Sequence, residues 1–411
     1  MTDTPKTQIV IVGAGAAGTM AAIFAARSGA NVTLLERTRD GGRKILISGG
    51  GRCNVLPSRV DEARFVTASS PNILRKIVRC WPLAEQIAFF EHDLGIPLEH
   101  EEESLKLFPA SQKARDVRDG LLACATREGV SLVTDIAVAD IAPVGLQWLV
   151  SCDDGRTFTA DAVIVATGGL SVPATGSDGR GLAILRRLGH AIHPTYAALT
   201  PVTVEPNDFT DLAGISLNVT VSAKAGADGA QASGGFLFTH RGYSGPSVLN
   251  VSHVAVRSRA IGGERASLSV RWTALGDAEW NARLQPHGAR TVSGAVRAEL
   301  PERLAVVLIA RAGVDPLRVL SELRRDERLA LIETLVRGAL PWSGDEGYKK
   351  AEVTGGGVSL AEIDARTMES RKHPGLYLCG EVLDAFGPIG GYNFLWAWAT
   401  GRAAGRGAAR R

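Results

Sequence analysis

The chain has no Cys-x-x-Cys pair and no Cys/His cluster; its five cysteines, Cys53, Cys80, Cys124, Cys152 and Cys379, are scattered. That pattern speaks against a zinc site, so no metal is expected, and an odd count suits a reducing cytoplasm. Charge of one sign is also lacking. Lys and Arg number 46 against 43 Asp and Glu, a net charge of +3. So small a surplus argues against a nucleic-acid partner, and no stripe of interleaved aromatic and basic residues changes that. No apolar run reaches ~18 uninterrupted residues, so no membrane span is expected. The first apolar stretch, "QIVIVGAGAAGTMAAIFAA", carries glycines in turn positions and reads as strand, turn and helix, not as a secretory leader. Oligomeric state has no signature.

What the chain has is glycine, 47 residues of it, within an ordinary soluble profile of 45% apolar and 22% charged residues. At 411 residues it can build two or three domains. "QIVIV" at 8–12 is a short uncharged β-branched run, suited to a strand of a parallel sheet buried on both faces. "GAGAAG" follows, then a helix of small residues, then the strand "NVTLLE" ending on Glu36. Strand, G-x-G-x-x-G, helix, strand and acid, at this spacing, is the dinucleotide fingerprint. Gly13 makes the turn, Gly15 admits a pyrophosphate, and Gly18 lets helix and strand pack closely. The opening N–H groups, with Ala16 and Ala17, offer positive charge to phosphate. Glu36, with Arg37 beside it, is placed for the ribose hydroxyls. The fingerprint alone does not separate NAD from FAD.

"GRKILISGGGRCN" at 42–54 comes directly after the ribose acid. Gly42, Arg43 and Lys44 can fold back over the pyrophosphate. Gly49, Gly50, Gly51, Arg52, Cys53 and Asn54 would reach toward the reactive ring. This stretch resembles the signature of the HI0933-like flavoproteins, bacterial NAD(P)/FAD-dependent oxidoreductases. "KLFPASQKARDV" (106–117), "TYAALTPV" (195–202), "FLFTHRGYSGPSVL" (236–249) and the segment 352–393 are similar to further blocks of that family, in order along the chain.

The resemblance implies an FAD-dependent oxidoreductase. It places Thr167, Gly168 and Gly169 of "DAVIVATGG" beside the cofactor and the Glu381 carboxylate of Gly380-Glu381 on the ribityl chain. "GPIGGYN", with Gly390, Gly391, Tyr392 and Asn393, leads into the helix "FLWAWATGRAAG", whose first N–H groups would face the flavin N1–C2=O edge. That edge becomes negative on reduction, which favours flavin over nicotinamide at this helix start. Val138, in "SLVTDIAVADI", is the candidate for reading adenine through its backbone.

The expected fold class is α/β. A discontinuous Rossmann-like FAD-binding domain (1–193 and 354–411) carries an inserted β-rich domain (194–276), a helical subdomain (277–341) and a return through the β-rich domain (342–353). The acidic run 99–103 reads as a solvated loop, and the basic tail "GRAAGRGAARR" as a frayed end. Candidate catalytic residues are His240, a general acid or base or an ordinary loop histidine, and Tyr243, a pocket residue. Cys53 reads as redox-active or structural. No second strand–GxGxxG–helix unit is present, so NAD(P)H would bind transiently as reductant, or the substrate itself is the reductant. The expected reaction is reduction of a small organic molecule in the cytoplasm, with an amine oxidase or a non-catalytic flavin binder as alternatives.

Overall fold

A computed structural model describes residues 6–102, 104–261 and 264–411. It divides into two compact units, Met1–Ala197 with Glu352–Arg411, and Ala198–Ala351.

The first unit is built on a five-stranded parallel sheet. Its strands are β1 (Gln8–Val12), β2 (Asn31–Leu35), β3 (Ser131–Val133), β4 (Ala162–Val165) and β5 (Leu376–Leu378), in the order β5-β4-β1-β2-β3. β1 and β4 are almost pure Ile, Val and Ala because both faces are covered; Ile11, Val163 and Ile164 are fully buried. Helix α1 (Ala16–Arg27) follows β1, and α2 (Tyr392–Ala408) follows β5. The sequence predicts one strand through "SLVTDIAVADI". The chain instead ends β3 and turns at Asp135, whose φ of 53° lies in the left-handed region that Asp tolerates. It then begins a separate antiparallel sheet of Val138–Val144, Gln147–Cys152 and Thr157–Ala160.

Two further expectations need correction. The acidic run is part of a strand, Leu98–Glu101, paired with Lys106–Pro109, and not a free loop; Glu103 lies outside the described residues. The basic tail is not frayed. Ala403, Ala404 and Ala408 are buried, because its glycines and alanines let α2 lie directly on α1. A Cβ on Gly401 would strike the Ala17 carbonyl, and one on Gly405 the Ala21 carbonyl.

The second unit holds a seven-stranded antiparallel sheet whose longest strands are Ser216–Ala225 and Asp228–Thr239. The helices Asp277–Arg283, Val292–Val296, Glu302–Arg311 and Arg325–Arg337 bury Trp280, Leu304 and Leu335 in the same apolar core as Phe236 of the sheet and Trp272, just past the strand Ser267–Arg271. Sheet and helices therefore share one core within this unit.

Candidate functional site

Ligands of open parallel sheets bind beyond the carboxyl ends of the strands. Here that edge carries the loops after β1, β4 and β5. After β1, Gly13 has φ of 103°, and Gly18 packs so tightly that a Cβ would collide with the Gly13 carbonyl. A Cβ on Gly15 would meet nothing within 4 Å, so the loop opens outward there. The N–H groups of Gly15, Ala16 and Ala17 make no hydrogen bond among the described residues. These are the free donors that an anion at a helix start requires. The Ala17 side chain itself is buried.

Glu36 is 7% exposed. Its Oε2 accepts the Ala14 N–H at 2.9 Å, and its Oε1 accepts the Thr38 N–H at 2.9 Å and the Thr38 hydroxyl at 2.7 Å. The carboxylate thus fixes the glycine loop as well as offering its remaining lone pairs.

The chemical centre of the edge joins four distant segments. Lys44 donates from Nζ to Glu381 Oε2 at 2.8 Å and to the Ser171 hydroxyl at 2.7 Å. Ser171 Oγ donates to Glu381 Oε1 at 2.7 Å, and the Thr354 N–H donates to the same oxygen at 2.9 Å. Thr354 Oγ1 in turn accepts the N–H groups of Leu170 and Ser171 at 2.7 and 3.1 Å. Burial alone would raise the Glu381 carboxyl; the charge of Lys44 and the hydrogen bonds from Lys44, Ser171 and Thr354 outweigh it and hold the group below its ordinary value. Sequence reasoning brought Lys44 and Glu381 to this edge but missed Ser171 and Thr354. "ATGGLS" and "VTGGGV" hold both residues; only the fold reveals their partner.

Thr167 Oγ1 is buried and has no hydrogen-bond partner among the described residues. It sits after β4, between Gly168 (φ 71°) and the strand end. Past β5, the loop 387–391 is closed by Asn393, whose side chain accepts the Gly387 N–H at 2.9 Å and donates to the Gly387 carbonyl at 3.0 Å. The N–H groups of Tyr392, Asn393 and Phe394 at the start of α2 make no backbone hydrogen bond among the described residues. Lys106 runs its stem past Gly390; its Cε would lie 3.6 Å from a Cβ built there. Burial lowers the Lys106 ammonium, with the Glu101 charge opposing. A second missed group, Asp384, is 2% exposed and accepts from Thr67 Oγ1, the Ala68 N–H, and the Ser69 N–H and hydroxyl at 2.8–3.0 Å. It ties the segment 67–69 to the turn after Glu381.

Several expected ligands point elsewhere. Arg37 pairs with Asp178, and Arg43 with Asp40 at 2.6 Å. Arg52 bridges to Glu101 at 2.9 Å with its guanidinium 4.1 Å from the centroid of Phe108. The side chain of Asn54 makes no hydrogen bond among the described residues. Tyr392 is buried, and its hydroxyl accepts the Asp61 N–H and donates to the Arg59 carbonyl. Tyr392 and Asn393 therefore serve the loop through their side chains, leaving only their N–H groups for a ligand. Val138 opens its strand beside Cys152 and is 6% exposed, so backbone alone is available there.

Gly49, Gly50 and Gly51 take φ of 56°, 68° and 87°, a left-handed run that side chains resist, and it carries the chain into Cys53. Cys53 is 0% exposed, and burial pushes its thiol up to about 12. A neutral, sealed thiol is neither nucleophile nor redox partner. Native protein at pH 7.5 should therefore leave Cys53 unlabelled by a maleimide over minutes, read by peptide mass; rapid labelling would contradict the packing.

Neither catalytic candidate lies in the first unit. Tyr243 is 0% exposed among Phe209, Phe236 and Phe238, and burial raises its phenol well above the ordinary value. It is a core residue of the second unit, not a pocket residue. His240 is exposed at the turn between Asp228–Thr239 and Gly242–Ser244, and its ring has no hydrogen-bond partner among the described residues.

The HI0933-like protein Rossmann domain family matches residues 7–407. The ribosomal RNA dihydrouridine synthase of Escherichia coli (strain K12) is 32% identical over 396 residues, covering 95% of each chain. The 3-dehydro-bile acid delta(4,6)-reductase of Clostridium scindens is 32% identical over 414 residues, covering 98% of this chain and 99% of its own. Among solved structures, 3-ketosteroid delta1-dehydrogenase from Sterolibacterium denitrificans superposes with a TM-score of 0.54 at 12% identity, over 99% of this chain and 100% of that one. An open-form flavocytochrome c3 fumarate reductase gives 0.51 at 17% identity, over 100% of this chain and 79% of that one. At such identities the likeness is one of fold. The loop after β1, the Lys44–Glu381 pair and the start of α2 thus lie within a Rossmann-type FAD-binding fold, and the chain belongs to the HI0933-like family of FAD-dependent oxidoreductases.

Proposed function

We propose that the chain holds FAD along this strand edge and, with NAD(P)H as a transient reductant, reduces a carbon–carbon double bond conjugated to a carbonyl in a small organic substrate. The residues fit the cofactor. The observation that carries the reading is the set of unsatisfied groups on one edge: open space at Gly15, free N–H groups on Gly15–Ala17 and on 392–394, and the orphaned buried Thr167 hydroxyl. Buried polar groups without partners are rare unless a ligand serves them.

The flavin, when bound, supplies the hydride chemistry. Gly15, Ala16 and Ala17 donate to the pyrophosphate. Glu36 accepts from the adenosine ribose. Glu381, held ionised and aimed by Lys44, Ser171 and Thr354, accepts from the ribityl hydroxyls. The start of α2 and Lys106 present positive charge where the ring system gains negative charge. Such a helix terminus is worth roughly 0.3–1 kcal/mol at the surface and more when buried. The three curated relatives support the substrate class. One is named for reducing a 3-dehydro bile acid at its delta(4,6) unsaturation, the others for making dihydrouridine; each name describes saturation of a carbon–carbon double bond in a carbonyl-bearing ring.

An anaerobic mixing experiment tests this. NADH or NADPH should bleach the flavin absorbance at rates within the ordinary turnover range of roughly 1–1,000 per second, and an enone steroid should restore it. No bleaching by either nucleotide, with fast bleaching by an amine and peroxide formed in air, would replace the reading with an amine oxidase. A second reading rests on the ribosomal RNA relatives: a uridine in RNA as substrate. It wins if NAD(P)H-reduced protein converts uridine in ribosomal RNA fragments and leaves enones untouched. Absence of turnover with every substrate would favour a flavin-binding protein without catalysis.

A further inference from the structure

Away from the strand edge, the first unit has a cavity of about 200 Å³ lined by Arg366, Arg402, Arg406 and Arg410, with Cys80 and Thr367 between them. Arg402 and Arg406 stand four apart on α2, about 6 Å along its axis, and Arg410 follows just past its end. Arg366 comes from the loop 364–368.

The charge here is unbalanced. The guanidinium groups of Arg366, Arg406 and Arg410 make no ion pair or hydrogen bond among the described residues. Arg402 alone has partners. It donates to the Cys80 carbonyl at 3.1 Å, lies over Trp81 at 5.0 Å, and reaches Glu85 only at 3.8 Å. Its Nε is buried without a partner. Asp364, on the loop that carries Arg366, is engaged by the N–H groups of Arg366 and Thr367. Like charges four apart on a helix repel, so this arrangement costs stability unless an anion sits between them.

We propose that this arginine-lined cavity is a binding site for the phosphoryl group of a small phosphate ester. Guanidinium forks match phosphate oxygens two at a time, which ammonium groups do not. The volume is roughly that of six or seven waters, enough for a phosphoryl group and the start of its ester. A concave site of this size suits one small anion, whereas a polymer backbone needs an extended basic track. The site is separate from the groups that serve the dinucleotide, and it stands whatever the redox substrate is.

Calorimetric titration of the FAD-loaded full chain with inorganic phosphate and pyrophosphate, at constant low ionic strength, tests the assignment. Wild type should bind one equivalent, and an Arg406→Gln/Arg410→Gln double variant should bind at least tenfold more weakly, with unchanged flavin content and circular dichroism. Both arginines are exposed, so the variant should fold. Arg366→Gln, on the loop 364–368 and not on α2, gives an independent reading and should also weaken binding tenfold. Equal affinity in wild type and variants, or no heat beyond that of sodium chloride, overturns the proposal. A short single-stranded RNA that binds through these arginines while phosphate and pyrophosphate do not would overturn it too, showing a nucleic-acid surface instead.

Discussion

Lys44→Met should destabilise the protein by about 2–3 kcal/mol at pH 7 and weaken FAD binding by at least tenfold. The substitution strands the Glu381 carboxylate, which is 17% exposed, among Ser171 and Thr354 with no cation. Breaking a fully buried ion pair costs about 3–5 kcal/mol; Lys44 is 28% exposed, and solvent screening takes the value below that range. Lys44→Met/Glu381→Met should recover part of the loss, because no uncompensated charge remains. The pH dependence has a fixed sign. The carboxyl of Glu381 lies below its ordinary value of 4.5 in the folded protein. Its contribution is therefore complete above about pH 4.5 and is lost as pH falls through the lower folded value. Glu381→Gln removes that acid-side loss. Urea unfolding of the four proteins at pH 7 and pH 4, with flavin affinity measured by fluorescence, decides it. A single variant as stable as wild type at pH 7 would show the pair to be screened and unimportant.

The Lys44 pair also shows what a sequence can and cannot disclose about this site. Gly13, Gly15, Gly18 and Glu36 were legible because one local rule links them: strand, tight turn, helix start and acid within 30 residues. The buried β-branched runs of β1, β2 and β4 were legible for the same reason, since parallel strands carry a continuous apolar signal. Ser171 and Thr354 were not. Each is a small polar residue beside glycines, with no period or spacing of its own, and their common partner is separated from them by 210 and 27 positions. Arg43 and Arg52 erred in the opposite direction. They stood in a motif rich in donors, yet local carboxylates at Asp40 and Glu101 already claim them. Tyr243 sat in a polar, glycine-flanked stretch and became a core ring, because strand alternation turned it inward beside Phe236 and Phe238. Side-chain direction within a short strand depends on register, which a single sequence leaves open.

The C-terminal tail is where a composition argument failed most plainly, and it carries the second large prediction. "GRAAGRGAARR" looks like a solvated end because its side chains are small or charged. Small side chains are what α2 needs to lie against α1. At Gly401 and Gly405 a Cβ would enter the Ala17 and Ala21 carbonyls, so the two helix backbones touch. The arginines between them face outward or into the cationic cavity. Gly405→Leu must push the helices apart against backbone atoms that cannot rotate away. Overpacking costs typically 1–3 kcal/mol and sometimes more, and a backbone collision lies at the upper end, so a loss of about 3 kcal/mol is expected. For a unit of this size the midpoint of thermal unfolding should fall by roughly 5–10 °C. α1 also presents the free N–H groups proposed to hold the pyrophosphate, so FAD affinity should fall with the shift of its start. Removal of Arg410 and Arg411 alone should cost less than about 1 kcal/mol, as for an ordinary chain end, while removal of residues 401–411 should abolish cooperative folding of the first unit. Thermal unfolding of the three variants, with flavin retention on a desalting column, separates these outcomes. A Gly405→Leu protein that melts with wild type and keeps its flavin would mean that α2 can slide on α1 without cost, and the close helix contact would lose its role in holding the strand edge in place.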